Sequence, residues 1–245
     1  MVSDIKIFEG RSALVTGGTR GIGFAMAELL LESGAKVLVT GSQAEGKGPQ
    51  GSEFFQADFS QEKQVMQLVN FIEENHSVDL LINNAAGYRP STFDTADADQ
   101  ARRVHEISYI TPFRLVHACL PYMKKNNFGR ILNIGTLWTA MVCRDRSAYI
   151  GSKMALIGMT RNLSADYAHM NILSNMLSPG FTDTEWAKNI SSEKRKHIEQ
   201  KIPVGRLATA QEIAQAALWL LSPLNTYITG QNIFIDGGVT KSHQF

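Results

Sequence analysis

Short apolar, β-branched segments alternate along the chain with longer segments whose apolar residues recur at helical spacing. The strand-like segments are RSALVTG, AKVLVTG, EFFQAD, VDLLINNA, GRILNIG, NILSNMLS and NIFIDGG. Helical spacing covers 21–34 and stretches near 62–75, 100–125, 147–169 and 210–221. Strands that alternate with helices indicate an α/β fold, in which a parallel sheet is covered on both faces. The glycine-rich stretch 41–52 is predicted to be a loop.

Composition narrows the possible functions. The 245 residues contain no internal repeat or linker, so we predict a single domain over 1–245. A net charge of +1, with no long run of one sign, argues against nucleic acid and membrane surfaces as partners. Two cysteines and six unpaired histidines lack the spacing of metal ligands, so no metal is expected. No targeting segment or membrane-length apolar run is present, and we expect a cytoplasmic protein.

A glycine-rich turn joins the first predicted strand to the first predicted helix. It reads TGGTRGIG over 16–23. Its glycines allow a sharp turn and a close approach to a ligand, and a helix N-terminus at this point suits a pyrophosphate. Tight turns also use glycine for structure alone, but the position between strand and helix favours phosphate binding.

Tyr149 and Lys153 stand four positions apart in a helical segment, so they share one helix face. A free phenol titrates at about 10, too high to exchange protons readily at neutral pH. An ammonium at about 4 Å, with an effective dielectric constant of about 20, attracts the phenolate by about 4 kcal/mol. We therefore expect the pKa of Tyr149 to be lowered, although desolvation offsets part of the shift. Tyr149 would then act as the general acid–base catalyst. The structural alternative is a half-buried tyrosine beside a surface lysine.

These motifs occur in order with NNAAG at 83–87, SPGFTDT at 178–184 and DGG at 236–238. Over essentially the whole chain, the pattern resembles the compact short-chain dehydrogenase/reductase family. The resemblance implies a Rossmann-type, doubly wound sheet of seven parallel strands and a nicotinamide dinucleotide. It also implies hydride transfer between a carbonyl and an alcohol, and a homodimer or homotetramer. The length and C-terminal pattern are similar to 3-ketoacyl-carrier-protein reductases.

The resemblance assigns catalytic roles to four residues. Tyr149 would exchange a proton with the reacting oxygen, and Lys153 would hold the nicotinamide ribose. Thr136 stands where the family usually has a serine, and its hydroxyl would bond the reacting oxygen, although it could be a structural threonine at a strand end. Ser108 replaces the usual asparagine of a proton relay. Serine keeps the backbone carbonyl but lacks the amide, so the relay would run through Ser108 and water or take another route.

The end of the second strand bears on cofactor choice. NAD-dependent enzymes typically place a carboxylate there, but this chain has Gly41 and then Ser42. Arg20 could meet a 2′-phosphate, so we predict NADP(H), with NAD as the alternative. Asp58 would border the adenine, cap the following helix, or do both. The predicted cofactor-binding residues are Gly17, Thr19, Arg20, Gly21, Ile22, Gly23, Ser42, Asp58, Phe59, Asn84, Ala85, Tyr149, Lys153, Pro179, Gly180, Thr182 and Thr184.

A substrate would meet the segments that follow the fifth and sixth strands, because ligands bind outside the carboxyl ends of parallel strands. The predicted substrate-binding residues are Thr136, Trp138, Tyr149, Phe181 and Trp186. With Arg144 and Arg146 they would accept a bulky or aromatic group bearing negative charge, or they pack the lid and subunit contacts instead. Segment 183–202 is predicted to be a mobile substrate lid.

Three functions are compatible with these features. The leading hypothesis is an NADP(H)-dependent oxidoreductase that interconverts a ketone and a secondary alcohol on a small metabolite. A 3-ketoacyl-carrier-protein reductase would need basic residues at the entrance, for which Lys124, Lys125 and Arg130 are candidates. A weakly active or inactive NADP-binding sensor or scaffold is favoured by the replacements at 108 and 136, but the presence of both Tyr149 and Lys153 argues against it.

Overall fold

A computed structural model describes residues 6–75 and 77–242. Within these residues, seven parallel strands form one sheet in the order β3-β2-β1-β4-β5-β6-β9. The strands are β1 (Ser12–Val15), β2 (Lys36–Gly41), β3 (Glu53–Gln56), β4 (Leu80–Asn83), β5 (Gly129–Ile134), β6 (Ile172–Pro179) and β9 (Asn232–Ile235). Two short strands, β7 (Thr182–Asp183) and β8 (Ala208–Thr209), pair separately beside it. The predicted doubly wound sheet of seven parallel strands is confirmed.

Helices connect the strands at the predicted places. They are α1 (Gly21–Glu32), α2 (Glu62–Asn75), α3 (Ala98–His105), α4 (Thr111–Lys125), α5 (Ser147–Tyr167), α6 (Glu185–Lys188), α7 (Ser192–Gln200) and α8 (Ala210–Leu221). The stretch predicted as one helix near 100–125 contains a π-helical turn, Glu106–Ile110, between α3 and α4. The predicted loop 41–52 has no helix, and β2 runs directly into it.

Both faces of the sheet are buried, as the apolar strands require. Along β1, Ala13 and Val15 belong to the apolar cluster under α1 and α8, whereas Leu14 belongs to the cluster under α2, α4 and α5. This alternation follows from the two-residue period of a strand. Burial of one such leucine or valine side chain contributes about 1.5–3 kcal/mol. The two clusters together fix the sheet between its helical layers.

The strand order sets the place of the functional crevice. β1 pairs with β2 on one side and with β4 on the other, so the chain winds away in opposite directions from this strand pair. Ligands of open α/β sheets bind outside the carboxyl ends of the strands at such a switch point. Here those ends are Val15 and Asn83, which lead into the glycine-rich turn and the NNAAG segment.

The amino-terminal edge of the sheet holds a buried arginine. Arg130, only 1% exposed, donates to the backbone carbonyls of Gly129, Asn171 and Asn225 at 2.8–2.9 Å. Its guanidinium also lies 4.4 Å from the ring centroid of Phe128, and Arg11 lies 3.8 Å from the same centroid. The suggestion that Arg130 belongs to a basic entrance surface is therefore wrong, because its guanidinium is buried and hydrogen-bonded to interior carbonyls.

Two further structural findings concern membranes and metals. Across the described ranges, 6–75 and 77–242, no helix combines the length and apolar character needed to cross a membrane. The same ranges hold no group of three or more His, Cys, Asp or Glu side chains arranged for a metal ion. Cys119 and Cys143 are free thiols, the first of them buried.

Candidate active site

The glycine-rich turn has a backbone that favours glycine. Gly17 and Gly21 have φ angles of 65° and 55°, in the left-handed region. A Cβ on Gly23 would lie 2.3 Å from the carbonyl oxygen of Gly17, so this residue lets the helix start approach the turn closely. Helix α1 begins at Gly21, and the side chain of Arg20 does not cap it. The first N–H groups of the helix therefore remain available to an anion.

Asn84 and Thr16 tie this turn to the end of β4. The amide nitrogen of the Asn84 side chain donates to the carbonyls of Thr16 (2.9 Å) and Gly17 (3.1 Å). In return, the hydroxyl of Thr16 accepts from the backbone N–H groups of Asn84 and Ala85. Thr16 was missed by sequence reasoning, although its place at the strand end, directly before the glycines, could have indicated a positioning role.

A cleft of about 650 Å³ opens along the carboxyl ends of β1, β2 and β4. The predicted cofactor residues that line it are Gly17, Thr19, Arg20, Gly21, Ile22, Gly23, Ser42, Asp58, Phe59, Asn84, Ala85 and Thr184. Tyr149, Lys153, Pro179, Gly180 and Thr182 were also predicted but do not line it. Residues that line it without having been assigned include Thr40, Gln43, Ala57, Ala86, Ile107 and Glu185. The glycine cradle and its uncapped helix end fit the diphosphate of a dinucleotide.

Asp58 supports the turn before α2 and also lines the cleft. Its carboxylate accepts from the backbone N–H of Ser60 at 2.9 Å, two positions before the helix starts, so it does not cap the helix directly. Its place in the lining of the cleft is compatible with a contact to the adenine, which stays a prediction.

Gly41 leaves no space for an acidic side chain at the end of β2. A Cβ on this residue would lie 2.7 Å from the methyl group of Thr19 and 3.3 Å from the ring of Phe54. A carboxylate of the kind that binds ribose hydroxyls would therefore displace Thr19. Arg20 is exposed beside the same cleft. This combination of a missing acid and a nearby cation suits a ribose that bears a phosphate.

Glu185 brings a negative charge to the opposite wall of the cleft. It is the first residue of the short helix α6, within the predicted lid. One of its carboxylate oxygens lies 3.5 Å from the position that a Cβ would occupy on Gly21. The carboxylate thus stands beside the N–H groups that would receive a phosphate. Nothing in the local sequence indicated this contact, since it joins residues far apart in the chain.

Lys153 lies on α5 and is buried against the end of β5. Its side chain is 2% exposed, and its ammonium donates to the carbonyl of Ile134 at 2.6 Å. Burial lowers the pKa of Lys153 to about 8, because the charged form loses hydration. The ammonium lies 5.9 Å from the ring centroid of Tyr149, so the two side chains share one face of the helix, as their spacing predicted.

Burial raises the pKa of Tyr149, whereas a hydrogen bond with Thr136 and the positive charge of Arg146 oppose this effect. The expected lowering of this pKa by Lys153 is therefore wrong for the protein alone. The physical reason is that desolvation of the phenolate outweighs the nearby charges. Lys153 is itself desolvated, and its ammonium is directed at the Ile134 carbonyl.

Thr136 stands at the carboxyl end of β5, next to both of these side chains. It is 6% exposed, its hydroxyl accepts from the backbone N–H of Trp138 at 3.4 Å, and its nearness to Tyr149 opposes the rise in the pKa of that phenol. The structure therefore brings Thr136, Tyr149 and Lys153 together at one strand end, although they are spread over 18 positions of sequence.

Ser108 lies in the π-helical turn, where it is fully buried. Its hydroxyl accepts from the backbone N–H of Gly87 at 3.0 Å. The hydroxyl is therefore engaged in holding the NNAAG segment against the helix. The π-helical turn has no signature in the apolar spacing, and sequence reasoning did not find it.

Aromatic rings form the wall beside Thr136 and Tyr149. Trp138 and Phe181 meet edge to face with their centroids 5.7 Å apart, and Tyr88 meets Tyr149 in the same way at 5.3 Å. Arg146 lies against the rings of Tyr88 and Trp138, at 5.0 and 5.2 Å from their centroids. Trp186 belongs to α6, but its side chain lies outside the described part of the structure.

Comparison with known proteins gives consistent matches over nearly the whole chain. A family model described as enoyl-(acyl carrier protein) reductase matches residues 17–240. The 3-oxoacyl-[acyl-carrier-protein] reductases FabG of Salmonella typhimurium and Escherichia coli K12 are each 34% identical, over 239 and 241 residues. Each match covers 95% of this chain and 98% of the relative.

Solved structures agree with the sequence matches. One described as a short chain dehydrogenase/reductase family protein has a TM-score of 0.83 and 32% identity, and the match covers 95% of this chain and 98% of that one. The chain belongs to the short-chain dehydrogenase/reductase family. Membership of this family makes it an NAD(P)-dependent oxidoreductase that acts on CH–OH and C=O groups.

Two further structures of this family bear on the cofactor. YwfH, described as an NADPH-dependent reductase involved in bacilysin biosynthesis, has a TM-score of 0.87 and 28% identity over 95% of this chain and 99% of its own. A candidate NAD(P)-dependent gluconate 5-dehydrogenase from Beutenbergia cavernae, described with bound NADP at low occupancy, has a TM-score of 0.88 and 29% identity. That match covers 96% of this short-chain dehydrogenase/reductase and 98% of the Beutenbergia chain.

Proposed function

We propose that the protein is an NADP(H)-dependent oxidoreductase that interconverts a ketone and a secondary alcohol on a small metabolite. The observation that carries the proposal is the convergence of Thr136, Tyr149 and Lys153 at the end of β5. This group lies at the same edge of the sheet as the glycine cradle, whose cleft has a volume of about 650 Å³.

Tyr149 acts as the general acid–base. During reduction its phenol donates a proton to the carbonyl oxygen, and the hydroxyl of Thr136 bonds the same oxygen. Burial keeps the pKa of Tyr149 high, so the phenol is protonated at neutral pH. This protonation state suits the reductive direction. NADPH, when bound, supplies the hydride for the carbonyl carbon.

Lys153 holds the nicotinamide ribose and returns a proton toward Tyr149. With a pKa of about 8, its ammonium is mostly charged at neutral pH but can give up a proton at modest cost. Ser108 would take part through its backbone carbonyl and water, while its hydroxyl accepts the backbone N–H of Gly87. Thr184, which lines the cleft, and Pro179, Gly180 and Thr182, which lie at and after the end of β6, would border the nicotinamide and phosphates of a bound cofactor.

Preference for NADPH is supported by the charges around the cleft. Arg20 lies beside it, and the space at Gly41 excludes the acid that would repel a 2′-phosphate. YwfH, which shares the fold, is described as NADPH dependent. NADH is the weaker alternative. The preference for NADPH over NADH is modest, because the 2′-phosphate would contact one arginine, Arg20, rather than several.

The protein works as a homodimer or homotetramer in the cytoplasm. Helices α4 and α5 present large apolar side chains to solvent in the single chain: Phe113 is 55% exposed and Met154 is 48% exposed. Burying these faces against a second copy would remove them from water. Size-exclusion chromatography with light scattering checks the assembly, and a monomer at micromolar concentration would contradict it.

The test is a panel of ketones and secondary alcohols, followed at the nicotinamide absorbance with NADPH and NADH in turn. The wild-type protein should turn over at least one pair, faster with NADPH. Tyr149→Phe should lose at least about 10²-fold in kcat while still binding NADPH. Undiminished turnover in this variant would overturn the mechanism. Cofactor binding without turnover of any panel member would favour the sensor or scaffold instead.

A 3-ketoacyl-carrier-protein reductase is the second candidate, favoured by 34% identity with FabG proteins over 95% of the chain. Lys124 and Lys125 are exposed, but they end α4 just before β5 starts, at the edge of the sheet opposite to Tyr149. Arg130 is buried, so the prediction that these three residues form a basic entrance is wrong. An acetoacetyl thioester of pantetheine distinguishes the two. Its reduction at a higher kcat/KM than every free ketone of the panel would select this second function.

A further inference from the structure

The loop before α5 is built to hold one side chain in place. Asp145 has a φ angle of 61°, and its carbonyl accepts from the backbone N–H of Ser91 at 3.1 Å. The N–H of Ser147 donates to the carbonyl of Ser91, and the two serine hydroxyls lie 3.1 Å apart. Arg146, between these contacts, is paired with Ser91 in a short parallel bridge. Its backbone position is therefore fixed.

The side chain of Arg146 is held between two aromatic rings. Its guanidinium carbon lies 5.0 Å from the ring centroid of Tyr88 and 5.2 Å from that of Trp138. It also donates a hydrogen bond to the hydroxyl of Tyr88. Stacking of this kind stabilises the cation and fixes the plane of the guanidinium. The cation is oriented before any substrate arrives.

This cation lies beside the proposed reacting groups. The ring of Tyr88 meets the ring of Tyr149 at 5.3 Å, and Trp138 donates its backbone N–H to Thr136. Arg146 is thus separated from the proton donor by the width of one aromatic ring. Its charge reaches Tyr149, since it opposes the burial that raises the pKa of that phenol.

The charge of Arg146 has no matching anion within the described part of the chain. Its Nε is buried without a hydrogen-bond partner, and among residues 6–75 and 77–242 it forms no salt bridge. In contrast, Arg11, Arg195 and Arg206 each pair with a carboxylate. A partly buried, uncompensated cation is costly unless an anion completes it. The planar fork of a guanidinium matches a carboxylate in particular.

We propose that Arg146 binds a free carboxylate of the substrate, so that the preferred substrates are oxo acids and the corresponding hydroxy acids. The inference rests on the proposed oxidoreductase function and narrows its substrate class. Arg146 takes no part in proton or hydride transfer; it positions the carbonyl beside Tyr149 by holding the far end of the molecule. The rings of Trp138 and Phe181 suit an apolar or aromatic body between the two polar ends.

The experiment compares oxo acids with their methyl esters, which lack only the charge. Benzoylformate, acetoacetate and levulinate increase the separation of carbonyl and carboxylate by one carbon at a time. We expect the wild-type enzyme with NADPH to prefer at least one acid over its ester by about tenfold or more in kcat/KM. Arg146→Met should remove that preference by raising the KM of the acid far more than that of its ester, so that the acid-to-ester ratio of kcat/KM falls to about one.

Three variants complete the design. Arg146→Lys should restore part of the acid preference, because it keeps the charge but loses the fork. Tyr88→Phe, which removes the hydroxyl that accepts from the guanidinium, should weaken acid binding less than Arg146→Met. Arg161→Met, at an exposed position further along α5, is the matched control and should leave acid and ester turnover unchanged. Thermal melting confirms that each variant is folded.

A binding measurement distinguishes failure of this inference from failure of the proposed function. If the wild-type protein reduces none of the probes, their binding to the NADPH complex is titrated by calorimetry. Tighter binding of an acid than of its ester, lost in Arg146→Met, would support the carboxylate site even then. Equal kcat/KM and equal affinity for all acids and esters in the wild type would overturn it. An equal fall for acid and ester in Arg146→Met would also overturn it.

Discussion

The hydroxyl of Ser108 accepts the backbone N–H of Gly87 at 3.0 Å, and this bond ties the π-helical turn to the segment that follows β4. Both residues are buried. Ser108 stands where the family usually has an asparagine, and its hydroxyl reaches the loop. Ser108 therefore makes a positioning contact between the cofactor cleft and the helix beside Tyr149.

Removal of this hydroxyl should destabilise the protein. Ser108→Ala leaves the N–H of Gly87 buried without its partner, which costs about 1–3 kcal/mol. Thr111→Val is the control, because the Thr111 hydroxyl is buried with no partner within the described residues. Urea denaturation should show a clear loss for Ser108→Ala and little change or a gain for Thr111→Val. Equal losses in the two variants would contradict the role assigned to the bond.

Lys153 should make stability depend on pH in the alkaline range. Its pKa is about 8 in the folded protein and 10.5 in the ordinary case. Between these values the unfolded state binds more protons, so the free energy of unfolding rises with pH. Below about pH 8 both states are protonated, and the penalty for the buried charge is fully present. Loss of the proton removes this penalty, so the free energy of unfolding should be about 3 kcal/mol higher at pH 10.5 than below pH 8.

The measurement compares urea midpoints of wild type and Lys153→Met at intervals across this range. The wild type should gain stability relative to the variant as pH rises from 8 to 10.5. Lys125→Met, at an exposed position, should show no such trend against wild type. A difference between wild type and Lys153→Met that does not vary with pH would show that the ammonium is not desolvated.

Arg20 should discriminate between the two nicotinamide cofactors. Arg20→Gln removes a charge-assisted bond to a 2′-phosphate, so the Kd for NADPH should rise about 10–100-fold while that for NADH changes little. Lys47→Gln, in the exposed loop after β2, is the charge-matched control and should affect neither. Fluorescence titration measures both constants. A parallel loss for NADPH and NADH would place Arg20 at a group that the two cofactors share.

Glu185 should weaken cofactor binding by repulsion. Its carboxylate lies beside Gly21, where a phosphate would accept N–H groups of α1. Glu185→Gln removes the negative charge but keeps the shape, and we expect NADPH to bind about 3–10-fold more tightly at low salt. The gain should shrink as salt is added, because exposed charges are screened.

The control for Glu185 is Glu193→Gln, which removes an exposed acid from α7. Its NADPH affinity should equal that of the wild type at every salt concentration. If Glu185→Gln bound NADPH more weakly than the wild type, the carboxylate would be a ligand of the cofactor's ribose rather than a competitor of its phosphate.

Local patterns were sufficient to predict the sheet, the long helices and most of the cofactor cleft. Two-residue and 3.6-residue periods are properties of short segments, and the glycines at 17, 21 and 23 mark a turn by themselves. The shared helix face of Tyr149 and Lys153 follows from their spacing alone. These features depend on neighbours in sequence, so they can be found there.

The features that the sequence did not predict depend on distant residues. The raised pKa of Tyr149 reflects burial by groups such as Tyr88, which is 61 positions away. Glu185 lies near Gly21 only in the folded chain. The burial of Arg130 depends on hydrogen bonds to the carbonyls of Asn171 and Asn225, which are distant in sequence. The mobility of the lid 183–202 stays a prediction. The chain there contains α6 and α7.

The network around Arg130 has a consequence for how this protein can change over time. It joins the starts of β5 and β6 to the end of α8, at the edge of the sheet opposite to Tyr149. Because these hydrogen bonds stabilise the amino-terminal edge of the sheet, side chains at the carboxyl edge can change without destabilising the whole protein. Libraries aimed at new substrates should therefore vary the loops around Arg146 and leave Arg130 and its carbonyl partners untouched.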